Sequence, residues 1–373
     1  MKEYIVIGAG ILGASTAYHL AKSGSRVTVI DRQDAGRATD AAAGIICPWI
    51  SQRRNKAWYA LAKSGAAYYE QLIEYLKEDG ETDTGYKKVG AISLHTDSDK
   101  LLKMEERAVK RREDAPEIGT IRQLTQSETK TSFSPLSEDY SSVHVSGAAR
   151  VNGRALRQAL VDGAKKHGAT FIFGSARIEQ TNLKVAGVQV NDVYYSADCV
   201  IVTAGAWAEE LLTPLGLNLQ LTAQKAQIVH LQLENKETGN WPVVMPPNDQ
   251  YILAFENGRV VIGATHEDEM NFDMRVTAGG LHEVFDKALS VAPGLANGTY
   301  VETRVGYRPF TPNFLPVIGK VPGYEGLLLA NGLGASGLTV GPFLGMQLAK
   351  LAREENLEID LNLYSVEEAL KKE

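Results

Sequence analysis

The chain has 373 residues, 44% of them hydrophobic and 23% charged, which is ordinary for a folded globular protein and long enough for two domains with cores of their own. A formal net charge of -6 argues against a nucleic-acid surface. The two cysteines, Cys47 and Cys199, are too few for a disulfide framework and too far apart for a metal motif, so a reducing, cytoplasmic setting fits best.

The opening EYIVI (3–7) is an apolar run ending in glycine, residues 11–23 show helical periodicity, and RVTVID (26–31) reads as a second strand. This is the start of a parallel sheet. Three glycines and the lack of a basic leader set the opening apart from a signal peptide. A helix follows over about 55–79, then a strand from VGAISLH at 89, a charged helix over 97–114 and a polar Ser/Thr-rich connection through 142. Its basic cluster RAVKRR (107–112) has acids on both sides and reads as a solvated helix face.

Helix and strand return at 152–174, with Asn152 or Gly153 near the N-cap and Gly168 ending the helix. Two strands over about 185–196 precede CVIVTAGAWAEELL, a buried strand turning through glycine into a helix. Alternating strands fill 224–265, with ENGR as a hairpin turn. A helix near 277–291 and more strand lead to a closing strand-turn-helix at 326–353, whose glycines and proline argue against a membrane span. The expected fold class is α/β: a Rossmann-type dinucleotide-binding domain on a parallel sheet (1–85, 145–220 and 305–373), plus an α+β substrate domain on a mainly antiparallel sheet (86–144 and 221–304).

GAGILG, residues 8–13, lies between strand and helix, the context that the dinucleotide fingerprint requires. Gly8 permits the tight turn, Gly10 lets backbone approach a pyrophosphate and Gly13 allows the helix to lie close on the sheet. The helix N-terminus offers free N–H groups and a positive dipole end to phosphates. Asp31 ends the second strand, placed to accept hydrogen bonds from ribose hydroxyls. NAD and FAD both satisfy this loop; the small residues of GRATDAAAGII (36–46) lean toward a large planar flavin.

GAGILG, VID, GRATDAAAG, VIVTAGAWA and GYRPFTPNFLPVIG (306–319), in this order, resemble the D-amino-acid oxidase-like FAD-dependent oxidoreductases, particularly the glycine and sarcosine oxidase type. The resemblance spans nearly the whole chain and is weakest over 50–145. It implies that Gly8, Gly10, Ile11, Leu12 and Gly13 hold the pyrophosphate, Asp31 and Arg32 the adenosine end, and Ala38, Thr39, Ala43, Gly44 and Ile45 the flavin flank. Backbone near Ser175 meets the adenine and Gly205 lets backbone approach the cofactor. The closing loop, with Gly332, Gly334, Ala335, Ser336, Gly337 and Leu338, aims a helix N-terminus at the N1–C2=O edge of the isoalloxazine. Such a dipole stabilises the anionic reduced ring by about 0.3 to 2 kcal/mol. Leu333 stands where the family often has histidine, and the cysteine that some sarcosine oxidases use for covalent attachment is absent, so noncovalent FAD is expected.

Arg308, with no acid nearby in sequence, is suited to bidentate capture of a carboxylate; a structural pairing with a remote acid such as Glu302 is the alternative. The resemblance implies that Arg308 holds the substrate carboxylate above the flavin and that Tyr251 shares it. His266 falls where relatives line the pocket, or is a surface turn residue; Cys47 either lines the same cavity or is a buried inert thiol. No dedicated base is required, because orientation and cofactor electronics supply most of the rate. The expected function is hydride transfer from a small carboxylate-bearing amine (glycine, sarcosine or a D-amino acid) to flavin N5, with O2 or a carrier as final acceptor. The competing readings are a 2-hydroxy-acid dehydrogenase, for which His266 would be the base, and a flavin-binding subunit of a larger amine-oxidising or tRNA-modifying complex. Side-chain preference and oligomeric state are open at this stage.

Overall fold

Strands rich in Val, Ile and Leu that are buried on both faces pair in parallel and need helices on each side. In the computed structural model, which describes residues 2–235, 237–268 and 271–371, six strands form one sheet, the central ones of this kind and the edge strand Thr170–Phe173 more exposed. Its order is Val317–Lys320, Leu327–Asn331, Cys199–Val202, Glu3–Ile7, Arg26–Asp31, Thr170–Phe173, parallel throughout except for the first pair. The helices Ile11–Lys22, Gly153–Lys166 and Gly337–Ala352 pack over it, with Lys56–Glu78 outside them. Glycine sets how closely they cross: a Cβ on Gly345 would stand 2.6 Å from Ser15 Cβ, and one on Gly163 2.8 Å from the Tyr18 ring. A small antiparallel sheet, Ala176–Thr181, Lys184–Val190 and Val193–Ser196, shares a core with the other face.

The second sheet has eight strands in the order Thr299–Phe310, Thr222–Gln232, Arg259–Gly263, Tyr251–Ala254, Val243–Met245, Ala91–His95, Ser141–Val145, Ile121–Leu124. All its pairs are antiparallel but Val243–Met245 with Ala91–His95. Side chains alternate across a strand, and both faces of this sheet are covered. Val229, Leu231, Val260, Ile262 and Ile252 pack on the helix Ala278–Val291, whereas Ala226, Ile228, Val261 and Leu253 face the large core shared with the first sheet. Gln224 and Tyr251 have the parity of that second set and so turn toward the first sheet. Arg308, paired with Gln224 in register, joins them. The long strand Thr299–Phe310 runs through residue 305, so Arg308 rides on the antiparallel sheet.

Two expectations need correction. The polar connection before 142 holds a strand, Ile121–Leu124, and a helix, Gln126–Ser132, whose capping box joins Thr125 to Glu128. Ser and Thr read as loop residues, but Thr-x-x-Glu before a helix satisfies two end donors reciprocally. The basic cluster is only partly a solvated face. Arg107 and Arg111 lie one turn apart beside the buried Met104 and Ala108, and Arg111 Nη1 donates to the carbonyls of Trp49 and Ser51. Among the described residues, no helix is long and apolar enough to cross a membrane.

Candidate active site

A cavity of about 380 Å³ lies between the two sheets, lined by the ends of the first sheet's strands and by one end of the second. At its floor, the turn after Glu3–Ile7 is forced by packing. A Cβ on Gly8, at φ +99°, would meet Thr203 O at 2.8 Å, and one on Gly13 would overlap Gly8 O at 1.8 Å. Gly10 is different: its backbone is extended, and a Cβ there would find only Thr39 Oγ1, at 3.5 Å. The protein leaves room above Gly10 that a bound group can use. No side chain of its own segment caps the helix Ile11–Lys22. Thr39 Oγ1 accepts from Ile11 N–H at 3.0 Å instead, leaving Leu12 N–H among the unpaired first-turn donors that suit a phosphate.

At one end of the cavity Asp31 accepts from the N–H groups of Ala9 (2.5 Å) and Gln33 (2.7 Å) and from Arg37 Nη1 (3.3 Å). These hold the carboxylate rigid and leave lone pairs for hydroxyl donors. Arg32 bonds Asp34 and Glu210, and Gly174, Ser175, Ala176 and Trp207 complete this end. In the middle, Ala38, Thr39, Ala43, Gly44 and Ile45 form one wall. Gly205, at φ +55°, has nothing within 4 Å of where a Cβ would point. Opposite, Leu333, Gly334, Ala335, Gly337 and Leu338 bring in the N-terminus of the helix Gly337–Ala352, tied to the near wall by Thr339 Oγ1 donating to Ile45 O at 3.0 Å. The long cleft, the free donors and the vacant Cβ positions fit a dinucleotide with a broad ring.

At the other end Arg308, Tyr251, His266 and Asp249 converge. Glu302, the remote acid considered for Arg308, bonds Arg259 and Arg304 instead. Among the described residues no carboxylate pairs with Arg308. Its contacts are neutral: Nη1 donates to Gln224 Oε1 at 3.2 Å, and the Tyr251 phenol is its other close neighbour. Asp268 accepts from Gln224 Nε2 at 3.0 Å, which fixes the amide with its oxygen toward Arg308. Burial pulls the Arg308 guanidinium below its ordinary value, with Tyr251 opposing, yet a guanidinium stays charged. Burial pushes the Tyr251 phenol up to about 12, with Arg308 pulling it back, so it keeps its proton. As a protonated phenol, that hydroxyl can donate to a ligand. A Cβ on Gly263 would press on it at 3.0 Å. Burial, then the charge of Arg308, pushes the His266 ring below 6.5, and Asp249 opposes. Burial works against the charge of Asp249, but the bonds from Lys287 outweigh it and hold the carboxyl below its usual range.

Of the residues singled out in the sequence, four do not line the cavity. Gly13 packs the first helix on its own turn. Gly332, at φ +80°, lies against Thr311, and Ser336 accepts from Trp58 Nε1 at 2.9 Å. Cys47 is buried in the core, its thiol pushed up to about 12 by burial and so neutral. Arg37, Gln224, Asp249 and Trp207 are additions. Asp249 had a signal, lying two residues before Tyr251; Gln224, 84 residues from Arg308, had none.

The model of the FAD dependent oxidoreductase family matches residues 3–351. The chain is 64% identical over 371 residues to the uncharacterized oxidoreductase YurR of Bacillus subtilis (strain 168), covering 99% of this chain and all of that one. It is 30% identical over 372 residues to a glycine oxidase of Pseudomonas aeruginosa (strain PAO1), covering 98% of each. The crystal structure of iminodiacetate oxidase from Chelativorans sp. BNC1 superposes with a TM-score of 0.94 at 46% identity, over 97% of this chain and 98% of that one. The cleft built for a dinucleotide and the match along nearly its whole length place this chain in the D-amino-acid oxidase-like family of FAD-dependent oxidoreductases.

Proposed function

We propose that the protein oxidises a small amino or imino acid at the carbon between nitrogen and carboxylate, with FAD held noncovalently in the cavity. The observation that carries this is Arg308, a half-buried cation with only neutral partners among the described residues, facing the end of the cavity beyond the cofactor walls. Of its five N–H donors Gln224 takes one, leaving the others for a carboxylate, and the Tyr251 hydroxyl adds a further donor. Glycine and iminodiacetate, named for two relatives, share one unit: a nitrogen, a CH2 and a carboxylate. The favoured substrate class is therefore glycine and its N-substituted forms, sarcosine included, with D-amino acids admitted as far as the wall opposite Arg308 allows.

FAD, when bound, supplies a two-electron acceptor at N5 of its ring. The chain's share is to fix the carboxylate at Arg308 and Tyr251, so that the neighbouring C–H is presented in one orientation. The N-terminus of Gly337–Ala352 would offer donors to negative charge on the ring edge. The substrate leaves as an imine, which water hydrolyses to an oxo acid and ammonium or a primary amine. Neither Cys47 nor Cys199 lines the cavity, which supports noncovalent attachment. His266, kept neutral by burial and by Arg308, favours a second reading, a 2-hydroxy acid with His266 as base.

Anaerobic addition of glycine, sarcosine, iminodiacetate, D-alanine and lactate to the flavin-loaded protein decides between them. Bleaching of the flavin absorption by an amine and not by lactate is the expected result. Bleaching by lactate alone would establish the second reading, and bleaching by none would overturn both.

A further inference from the structure

A second cavity, also of about 380 Å³, lies between the loop 52–55, the start of the helix Lys56–Glu78 and the end of the helix Ser98–Arg112. Arg53, Arg54, Lys56, Arg107 and Arg111 line it, and no acid does. Among the described residues none of the five makes an ion pair. The nearby acids are engaged elsewhere: Asp114 bonds Lys63, and Glu117 accepts from Trp49 Nε1.

Two of the guanidiniums are held in place rather than free. Arg53 lies over the Trp58 ring at 4.7 Å and donates to Phe314 O. Arg111 lies over Tyr59 at 4.4 Å and donates to Trp49 O and Ser51 O. A guanidinium stacked on a ring keeps its N–H rim in the plane, open to a bidentate acceptor. Arg107 Nε is buried and has no hydrogen-bond partner. Asn55 caps the helix by accepting from Trp58 N–H, which leaves the Lys56 N–H and the positive helix end on the same side. Cations gathered in a concave wall repel one another, and Arg111 is held below its usual range by burial and also by Arg107.

We propose that this cavity is a second ligand site, for a small polyanion carrying at least two carboxylate or phosphate groups. A single negative charge would leave four of the five cations unbalanced. A macromolecular acid is disfavoured by the size of the cavity and by the chain's net charge of -6. The site stands independently of the flavin reading, since it shares no lining residue with the first cavity. It touches that cavity's supports, however. Arg53 stacks on Trp58, and Trp58 Nε1 bonds Ser336 at the start of the last helix.

The test is calorimetric titration of the flavin-loaded protein with citrate and, separately, pyrophosphate, at constant ionic strength. Wild type, Arg308→Ala and the double variant Arg54→Gln with Arg107→Gln are compared. Binding is expected to be equal in wild type and Arg308→Ala, and weaker by about tenfold to a hundredfold in the double variant, the range for lost charged hydrogen bonds. The tighter of the two probes identifies the acid group preferred. Should the double variant melt early, Arg54→Gln alone, at an exposed position, is expected to weaken binding with its stability intact. No binding to wild type, or binding that Arg308→Ala abolishes and the glutamine variants keep, would overturn the proposal.

Discussion

Removing the guanidinium of Arg308 is the sharpest perturbation of the substrate end, because substrate binding and folding should respond differently. A charged hydrogen-bonded contact is worth about 1.5–3 kcal/mol, and about 1.4 kcal/mol is a factor of ten in affinity. Arg308→Ala is therefore expected to weaken a carboxylate ligand by about 10- to 150-fold. Stability should behave otherwise. Breaking a buried ion pair costs about 3–5 kcal/mol because it strands the partner charge, but the partners of Arg308 are the amide of Gln224 and the phenol of Tyr251. Losing the hydrogen bond that the charged guanidinium gives Gln224 costs about 1.5–3 kcal/mol, which is offset by removing a cation that burial disfavours. The melting temperature of the flavin-loaded variant should shift by only a few degrees, with flavin still bound. Substrate affinity, from the anaerobic flavin spectrum, and melting are measured on one preparation. Unchanged affinity refutes the clamp; a collapse of stability with it refutes the reasoning that Arg308 is free for a ligand. Arg308→Lys, which keeps charge but loses the fork, should lie between.

Other outcomes follow from the same geometry. Gly10→Ala should leave the apoprotein as stable as wild type, or more stable by about 0.4–1 kcal/mol, while FAD affinity falls; Gly13→Ala, whose Cβ would overlap Gly8 O, should fail to fold. Equilibrium dialysis and denaturant titration separate these cases. Tyr251→Phe should raise KM by about tenfold or more, the worth of one hydrogen bond to a charged group, with little change in kcat. Burial, then the charges of Arg353, Lys22 and Lys350, push the pKa of His19 from 6.5 to about 3. The unfolded chain therefore binds the extra proton between those values. The contribution of this ring is complete above pH 6.5 and is lost as pH falls toward 3. Urea midpoints measured from pH 7 downward should fall less steeply in His19→Gln than in wild type. Acid precipitation should release all the yellow colour into the supernatant; colour in the pellet would mean a covalent link.

Much of this was legible in sequence wherever the physics is local. GAGILG, its flanking strand and helix and the terminal Asp31 are tied by spacing within one supersecondary unit. An isolated arginine in an apolar stretch marked Arg308 before any partner was known. What escaped depends on register between distant segments. Thr39 caps a helix that begins 28 residues earlier, and Gln224 meets Arg308 only because their strands align at that pair. In GRATDAAAG the small residues drew notice, yet Arg37 braces Asp31 and Asp40 across the turn. Cys47 follows a cavity-lining segment but is turned into the core. The Thr125–Glu128 box was present in the sequence and hidden by the polar composition around it.

The strand that bears Arg308 also touches the flavin flank. Tyr307 N–H donates to Gly36 O at 2.9 Å, and a Cβ on Gly306 would stand 2.7 Å from Ala41 Cβ. If FAD lies along that segment as proposed, the main chain itself helps to set how far the strand bearing the guanidinium stands from the coenzyme. Changes at Asp249, His266 and Leu333, which line the cavity from other segments, would then reshape the surroundings of the proposed substrate without moving the strand that anchors it.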